Sequence, residues 1–108
     1  MIFAEDDHDE LVIQRKKTQT RRESGRYQIG KDYAIQKCRT CPARPEGRIL
    51  ILKKKPEMVE VDTPISVEDA LAEGGYTPEQ YERLYEKMHR GWLDRWAYEF
   101  RFIPKEAL

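Results

Sequence analysis

Apolar residues recur along this chain with two different periods, which predict two kinds of secondary structure. Residues 96–103 alternate apolar and polar side chains, as a half-buried strand does, and Pro104 ends the run. Other apolar residues recur at helical spacing and predict a helix with one aromatic, buried face, formed by Tyr81, Leu84, Tyr85 and Met88. The chain therefore mixes helices with strands.

Capping residues mark where two helices begin and end. Ser66, with Asp69 three positions later, resembles a capping box, and the glycine pair 74–75 ends the short helix that follows. The segment 77–80 supplies a second start, with a threonine cap, a proline at the first helical position and a glutamine as capping partner. Gly91 is predicted to end that helix.

Three extended segments are predicted in the middle of the chain. Residues 33–38 and 47–55 indicate the two strands of a long hairpin. In the connection between them, Pro42, Pro45 and Gly47 exclude a regular ladder. Residues 57–66 are predicted to continue the sheet. Pro56 would sit at a bend or an edge, since it cannot donate to a ladder.

The amino-terminal part predicts a short strand, residues 1–4, and then a short helix capped by Asp7 or Asp9. The threonine-rich residues after it suit an extended conformation, in which alternate side chains face opposite ways. One face would then carry Thr18, Thr20 and Arg22, and the other Gln19 and Arg21.

Together these elements predict an α+β fold, built on a mostly antiparallel and barrel-like sheet, with the last strand paired to an early segment. A length of 108 residues fits a single domain spanning residues 1–108. No apolar stretch approaches the roughly 20 residues that span a bilayer, so we expect no membrane partner and a cytoplasmic location.

Charge is balanced overall, with 20 basic and 20 acidic side chains, so attraction to nucleic acid would require local segregation. Such segregation is present. Residues 5–10 are mostly acidic, whereas residues 15–22 read "RKKTQTRR" and contain five cations. This basic segment is the main candidate for a functional surface.

The two cysteines, Cys38 and Cys41, are too few for a disulfide framework, and we expect reduced thiols or a metal site. Their spacing is half of a zinc knuckle, which His8 and His89 could complete. A redox role lacks a supporting βαβ unit. A zinc-stabilised interaction domain is therefore one alternative function.

Several segments in this order resemble the ASCH domain family, a branch of the PUA-like folds, over nearly the whole chain. They are "KKTQTRR", "GKDYAIQ", "GRILI", "ISVEDALAEGGYTPEQY" and "WAYEFRF". The family's Gly-x-Lys-x-x-x-x-Arg pattern falls on Arg15, Lys17 and Arg22, so its lysine and arginine match and its glycine does not. The resemblance implies a small PUA-like β-barrel with two or three flanking helices and a cleft suited to RNA or a nucleoside.

Some small bacterial members that this chain resembles are amidohydrolases, which remove the acyl group from N4-acetylcytidine. Carried over by motif, their lysine, threonine and glutamate fall on Lys17, Thr20 and Glu73, and the resemblance implies no cofactor. In such a site, nearby cations would favour the neutral amine of Lys17, which could accept the hydroxyl proton of Thr20. Glu73, at the carboxyl end of a helix, would tend to stay protonated and act as the acid.

The remaining cations, Arg15, Lys16, Arg21 and Arg22, are predicted to bind the substrate or RNA, and Arg22 suits a carbonyl or phosphate oxygen. The same residues fit a non-catalytic RNA-binding module. In that alternative, exposed tyrosines would stack on unpaired bases, with Tyr27, Tyr33 and Tyr76 as candidates.

Overall fold

A computed structural model of the protein describes residues 1–4, 7–56, 66–88 and 96–108, and it leaves the side chains of residues 85–88 undescribed. Within these ranges lie three α-helices and four β-strands, followed by a short 3-10 helix, Lys105–Ala107. In chain order they are α1 (His8–Ile13), β1 (Gln19–Arg22), β2 (Asp32–Ala34), β3 (Gly47–Pro56), α2 (Val67–Gly74), α3 (Pro78–Met88) and β4 (Trp96–Pro104).

The four strands form one antiparallel sheet in the order β1-β4-β3-β2. The predicted α+β class and the antiparallel sheet are therefore confirmed. The predicted pairing of the last strand with an early segment is also confirmed, because β4 pairs with β1, and Thr20 lies opposite Tyr98. This arrangement places the basic segment at one edge of the sheet.

The sheet is not closed into a barrel within the described residues. β1 and β2 are its two edges, and they contain only four and three residues. Closure requires the edge strands to pair with each other. Of the extended segment predicted over residues 57–66, residues 57–65 lie outside the described residues.

A bulge interrupts the longest pairing, between β3 and β4. Ile51 lies opposite Phe100 and Lys53 opposite Glu99, which leaves Leu52 as an extra residue. Beyond the bulge, Lys54 lies opposite Tyr98, and its ammonium donates to the carbonyl of Gly25. The Lys54 Nζ also lies 4.6 Å from the centre of the Trp96 ring.

The predicted hairpin forms, but its first strand is shorter than the pattern indicated. β2 ends at Ala34 because the chain then pairs with the amino-terminal residues instead of β3. The Phe3 amide donates to the Gln36 carbonyl at 2.7 Å, and the Gln36 amide donates to the Met1 carbonyl at 3.0 Å. The predicted first strand is thus a single parallel bridge between Ile2 and Gln36.

Two of the three helix starts agree with the sequence signals. Ser66 accepts a hydrogen bond from the Asp69 amide at the start of α2. Thr77 and Gln80 form a reciprocal capping box before α3, with donor-acceptor distances of 3.0 and 3.2 Å. The predicted stop of α3 at Gly91 lies outside the described residues.

The start of α1 differs from the prediction. Asp7 occupies the cap position with φ of 53° but makes no side-chain capping bond. The carboxylate of Asp9 is instead held by the guanidinium of Arg44 at 2.6 Å. An ion pair across the fold has replaced a local cap.

The hydrophobic core covers one face of the sheet. The predicted alternation of β4 is confirmed there, because Tyr98, Phe100 and Phe102 are buried while Arg101 is exposed. The other members of this cluster are Met1, Phe3, Val12, Tyr27, Ile35, Ile49 and Ile51. The opposite face of β1 is left for contacts with α2.

Candidate functional site

A buried carboxyl group, that of Glu73, is the centre of the candidate site. It lies in the last turn of α2, and only 2% of the residue is exposed. The helix ends immediately afterwards, because Gly75 adopts φ of 81°, a left-handed conformation that glycine accepts at little cost. The predicted position of Glu73 at a helix carboxyl end is confirmed.

Three side chains from the basic segment converge on this carboxyl group. Lys17 Nζ donates to Glu73 Oε2 at 3.0 Å, and Gln19 Nε2 donates to Glu73 Oε1 at 3.4 Å. Arg21 Nε lies 3.8 Å from Glu73 Oε1, and the same guanidinium lies 3.8 Å from Asp69. These contacts are all with hydrogen-bond donors or cations.

Main-chain hydrogen bonds explain why Lys17 reaches this position. The Thr18 amide donates to the Ala72 carbonyl at 2.8 Å, which joins the start of β1 to the last turn of α2. Lys17 Nζ donates to the next carbonyl, that of Glu73, at 2.7 Å. Since helix ends leave carbonyls without partners, Lys17 also completes the end of α2.

The pKa of Lys17 is lowered from its ordinary value of 10.5. Burial is the largest cause, and the charges of Arg22 and Arg21 add to it, whereas the charge and hydrogen bond of Glu73 oppose it. The direction agrees with the sequence prediction, but its main cause is desolvation rather than neighbouring cations.

Thr20 and Arg22 lie on the other face of β1. Arg22 Nε donates to Thr20 Oγ1 at 3.2 Å, and a second Arg22 nitrogen donates to the Ile2 carbonyl at 2.6 Å. The predicted alternation of Thr20 and Arg22 against Gln19 and Arg21 is therefore confirmed. The structure brings Lys17 and Glu73 together, but it directs the buried Thr20 towards Arg22.

The two cations before Lys17 take different positions. Arg15 has φ of 61° and places its guanidinium 5.3 Å from the centre of the Phe102 ring, at the rim of the core. Lys16 is exposed to solvent. Within the described residues, neither side chain contacts Glu73. Their expected binding role therefore rests only on the positive charge that they add to the basic segment.

Of the three candidate tyrosines, Tyr27 is buried, and Tyr33 and Tyr76 are half-buried. Tyr27 is buried in the core, in edge-to-face contact with both Tyr33 and Tyr98. Tyr76 Oη lies 2.6 Å from His8 Nε2. Tyr27 in particular therefore has a structural role rather than an exposed stacking position.

Sequence reasoning missed two contributions to this region. Gln19 was placed on the correct strand face but was not recognised as a partner of Glu73, although alternation with Arg21 gave that signal. Tyr81 lies under the Arg21 guanidinium, with the Arg21 carbon 5.5 Å from the ring centre. No sequence signal identifies that contact, because it depends on how α3 packs.

The cysteines differ from the expectation of reduced thiols or zinc. Cys38 and Cys41 are joined to each other by a disulfide bond. Within the described ranges, no group of three or more histidine, cysteine or acidic side chains could hold a metal ion. His8 contacts Tyr76 instead, and His89 lies outside the described residues.

Comparison with protein-family models, curated proteins and solved structures finds no match for this chain. Among the helices that the structure describes, none has the length and apolar character needed to cross a membrane.

Proposed function

We propose that the protein is an ASCH-type domain that binds a nucleoside or RNA beside Glu73 and hydrolyses the amide of N4-acetylcytidine. The observation that carries this proposal is the buried contact between Lys17 and Glu73, which lie 56 positions apart in the sequence and 3.0 Å apart in space. The resemblance to the ASCH family implies both residues from their sequence motifs alone.

In this reaction Lys17 and Glu73 accept and donate the protons. Hydrolysis of an amide requires a base for the nucleophile and an acid for the leaving nitrogen. An amine whose pKa is lowered by burial is present more often in its neutral form, which is the form able to accept a proton, and an adjacent carboxylate can share that proton. The pair therefore offers both transfers within one hydrogen-bonded unit.

Thr20 is the proposed nucleophile, as the resemblance implies. Arg22 donates to its hydroxyl oxygen, which leaves the hydroxyl hydrogen available to a base. The proposed transfer to Lys17 requires the bound substrate to draw Thr20 and Lys17 together across β1.

The test is incubation of the protein with N4-acetylcytidine, with cytidine measured by chromatography. We expect turnover by the unaltered chain and by Lys105→Met, which changes an exposed lysine outside the candidate site, and a loss of at least about 100-fold in Lys17→Met and Thr20→Val. Circular dichroism would verify that each variant is folded. Equal rates for Lys105→Met and Lys17→Met would contradict the proposal.

A second candidate, a non-catalytic RNA-binding module, is favoured by the bonds that Lys17 and Thr20 already make. Lys17 completes the end of α2 and Thr20 is held by Arg22, which are structural roles. This candidate predicts RNA affinity that falls steeply with added salt and that survives Thr20→Ala. Affinity that does not change between low and high salt would count against it.

A further inference from the structure

The disulfide between Cys38 and Cys41 lies in the loop that joins β2 to β3. Both residues are partly exposed, and they are the only cysteines of the chain. The Cys41 amide donates to the Cys38 carbonyl at 3.2 Å, and Gln36 Nε2 donates to the Cys41 carbonyl at 3.0 Å. The two sulfur atoms are therefore presented on a turn that main-chain and side-chain hydrogen bonds hold in place.

Stabilisation of the fold is a poor explanation for this bond. A cross-link restricts the unfolded chain less as the loop that it closes becomes shorter, and this one joins residues only three positions apart. The loop is also held by other contacts. Arg44 pairs with Asp9, Glu10 and Glu46, and its amide donates to the Ile35 carbonyl at 2.7 Å.

The surroundings of the pair favour thiol chemistry, especially at Cys38. Two exposed cations, Lys37 and Arg39, flank Cys38 in the sequence, and Thr40 Oγ1 lies 3.6 Å from Cys38 Sγ. Positive charge and a hydroxyl donor stabilise a thiolate, which is the reactive form of cysteine. Cys41 is followed by Pro42, which has no amide hydrogen to offer.

We propose that Cys38 and Cys41 form a thiol-disulfide exchange site, with Cys38 as the nucleophile, Cys41 as the resolving cysteine and small disulfides as substrates. A dithiol first reduces the protein disulfide, giving two cysteine thiols and the oxidised dithiol. The Cys38 thiolate then attacks one sulfur of a small disulfide, RSSR. A bond forms between Cys38 and SR, and the released thiolate takes up the proton that Cys38 lost.

Cys41 completes the cycle. Its thiolate attacks Cys38 Sγ, which re-forms the bond between Cys38 and Cys41 and releases the second RS⁻, and that group takes up the proton from Cys41. The reduced protein and RSSR thus yield the oxidised protein and two RSH. The two electrons that the dithiol supplied end on the small thiols.

The experiment uses the full chain, dithiothreitol as the reductant and bis(2-hydroxyethyl) disulfide as the substrate. We expect the reduced protein, freed of dithiothreitol, to release two thiols for each chain under native conditions. In Cys41→Ser the mixed disulfide at Cys38 should accumulate, visible as an added mass, and should form roughly tenfold faster than the one at Cys41 in Cys38→Ser. Thr40→Val should slow the first reaction and shift its pH profile towards higher pH.

Three results would overturn this proposal. One is equal rates of mixed-disulfide formation in the two cysteine variants, which would remove the distinct role of Cys38. A second is resistance of the disulfide to excess dithiothreitol in the folded protein. The third is stoichiometric zinc that remains with the reduced chain after gel filtration, which would make the cysteines metal ligands.

Discussion

The ammonium group of Lys17 donates both to the side chain of Glu73, at 3.0 Å, and to its main-chain carbonyl, at 2.7 Å. The first contact is an ion pair of two buried groups, each 3% exposed, and the second closes the end of α2. A buried ion pair adds little to stability when compared with an apolar replacement of both partners, but loss of one partner leaves a buried charge. The site and the stability of the fold are therefore coupled through one side chain.

Lys17→Ala should lower the free energy of unfolding by about 3 kcal/mol, because Glu73 would keep a buried charge without its closest cation. Lys16→Ala, next to it but exposed, should change that free energy by no more than about 0.5 kcal/mol. Urea denaturation followed by circular dichroism measures both. Similar losses for the two variants would show that the pair does not hold the helix end.

Acid should weaken the contact between α1 and the β2–β3 loop. Burial disfavours the charged form of Asp9, but the hydrogen bond and charge of Arg44 outweigh this effect, so the pKa of Asp9 is lowered from 3.8. A lowered pKa gives stability that is fully present above pH 3.8 and is lost as the pH falls through the lower, folded-state value.

Arg44→Met tests this coupling. The variant should be less stable at pH 7, since three carboxylates lose their shared cation. The free energy of unfolding of the unaltered chain should decrease below pH 3.8, and this decrease should be smaller in Arg44→Met. Thermal unfolding at several pH values measures both effects. Parallel curves of stability against pH for the two proteins would contradict the proposed role of Arg44 in lowering the pKa of Asp9.

The two glycines after Glu73 should respond differently to alanine. A Cβ atom at Gly74 would lie 2.8 Å from the Tyr76 ring, whereas one at Gly75 would meet nothing within 4 Å. Gly75→Ala should cost about 1 kcal/mol from its left-handed backbone alone. Gly74→Ala should cost more, because the ring that contacts His8 must also move. Chemical denaturation of both variants makes the comparison, and a smaller loss for Gly74→Ala would refute it.

The capping box of α3 offers a local test. Thr77→Ala removes the oxygen that accepts from the Gln80 amide, and it should lower the free energy of unfolding by about 1 kcal/mol. Thr77→Ser keeps an equivalent oxygen and should stay close to the unaltered chain. Urea denaturation distinguishes them, and equal losses would show that the hydroxyl contributes nothing to the helix.

Local signals predicted much of this fold, because their physics involves only a few neighbouring residues. Ser66 and Thr77 cap helices through amides three positions away, and the alternation of β4 reflects one buried face. The length of β2 could not be predicted in this way. It depends on Gln36 pairing with the amino-terminal residues, which are far away in the sequence.

The candidate site was likewise predicted in part, and the contacts that depend on how distant elements pack were missed. Alternation placed Thr20 and Arg22 on one face of β1, and the resemblance connected Lys17 with Glu73. The contact of Gln19 with Glu73 required knowledge of where α2 crosses β1. The expectation of reduced thiols or zinc at the cysteine pair was wrong, because a turn of this length also permits the disulfide that Cys38 and Cys41 form.

The bulge at Leu52 shows how the sheet accommodates a change in chain length. Leu52 and Lys53 together face Glu99, and Leu52 is 41% exposed, so neither the core nor the ladder depends on it. A chain without Leu52 would join Ile51 directly to Lys53 and still place Lys54 opposite Tyr98. β3 therefore carries one residue whose deletion would restore a regular register, which makes this position the natural place for length variation within the central strands.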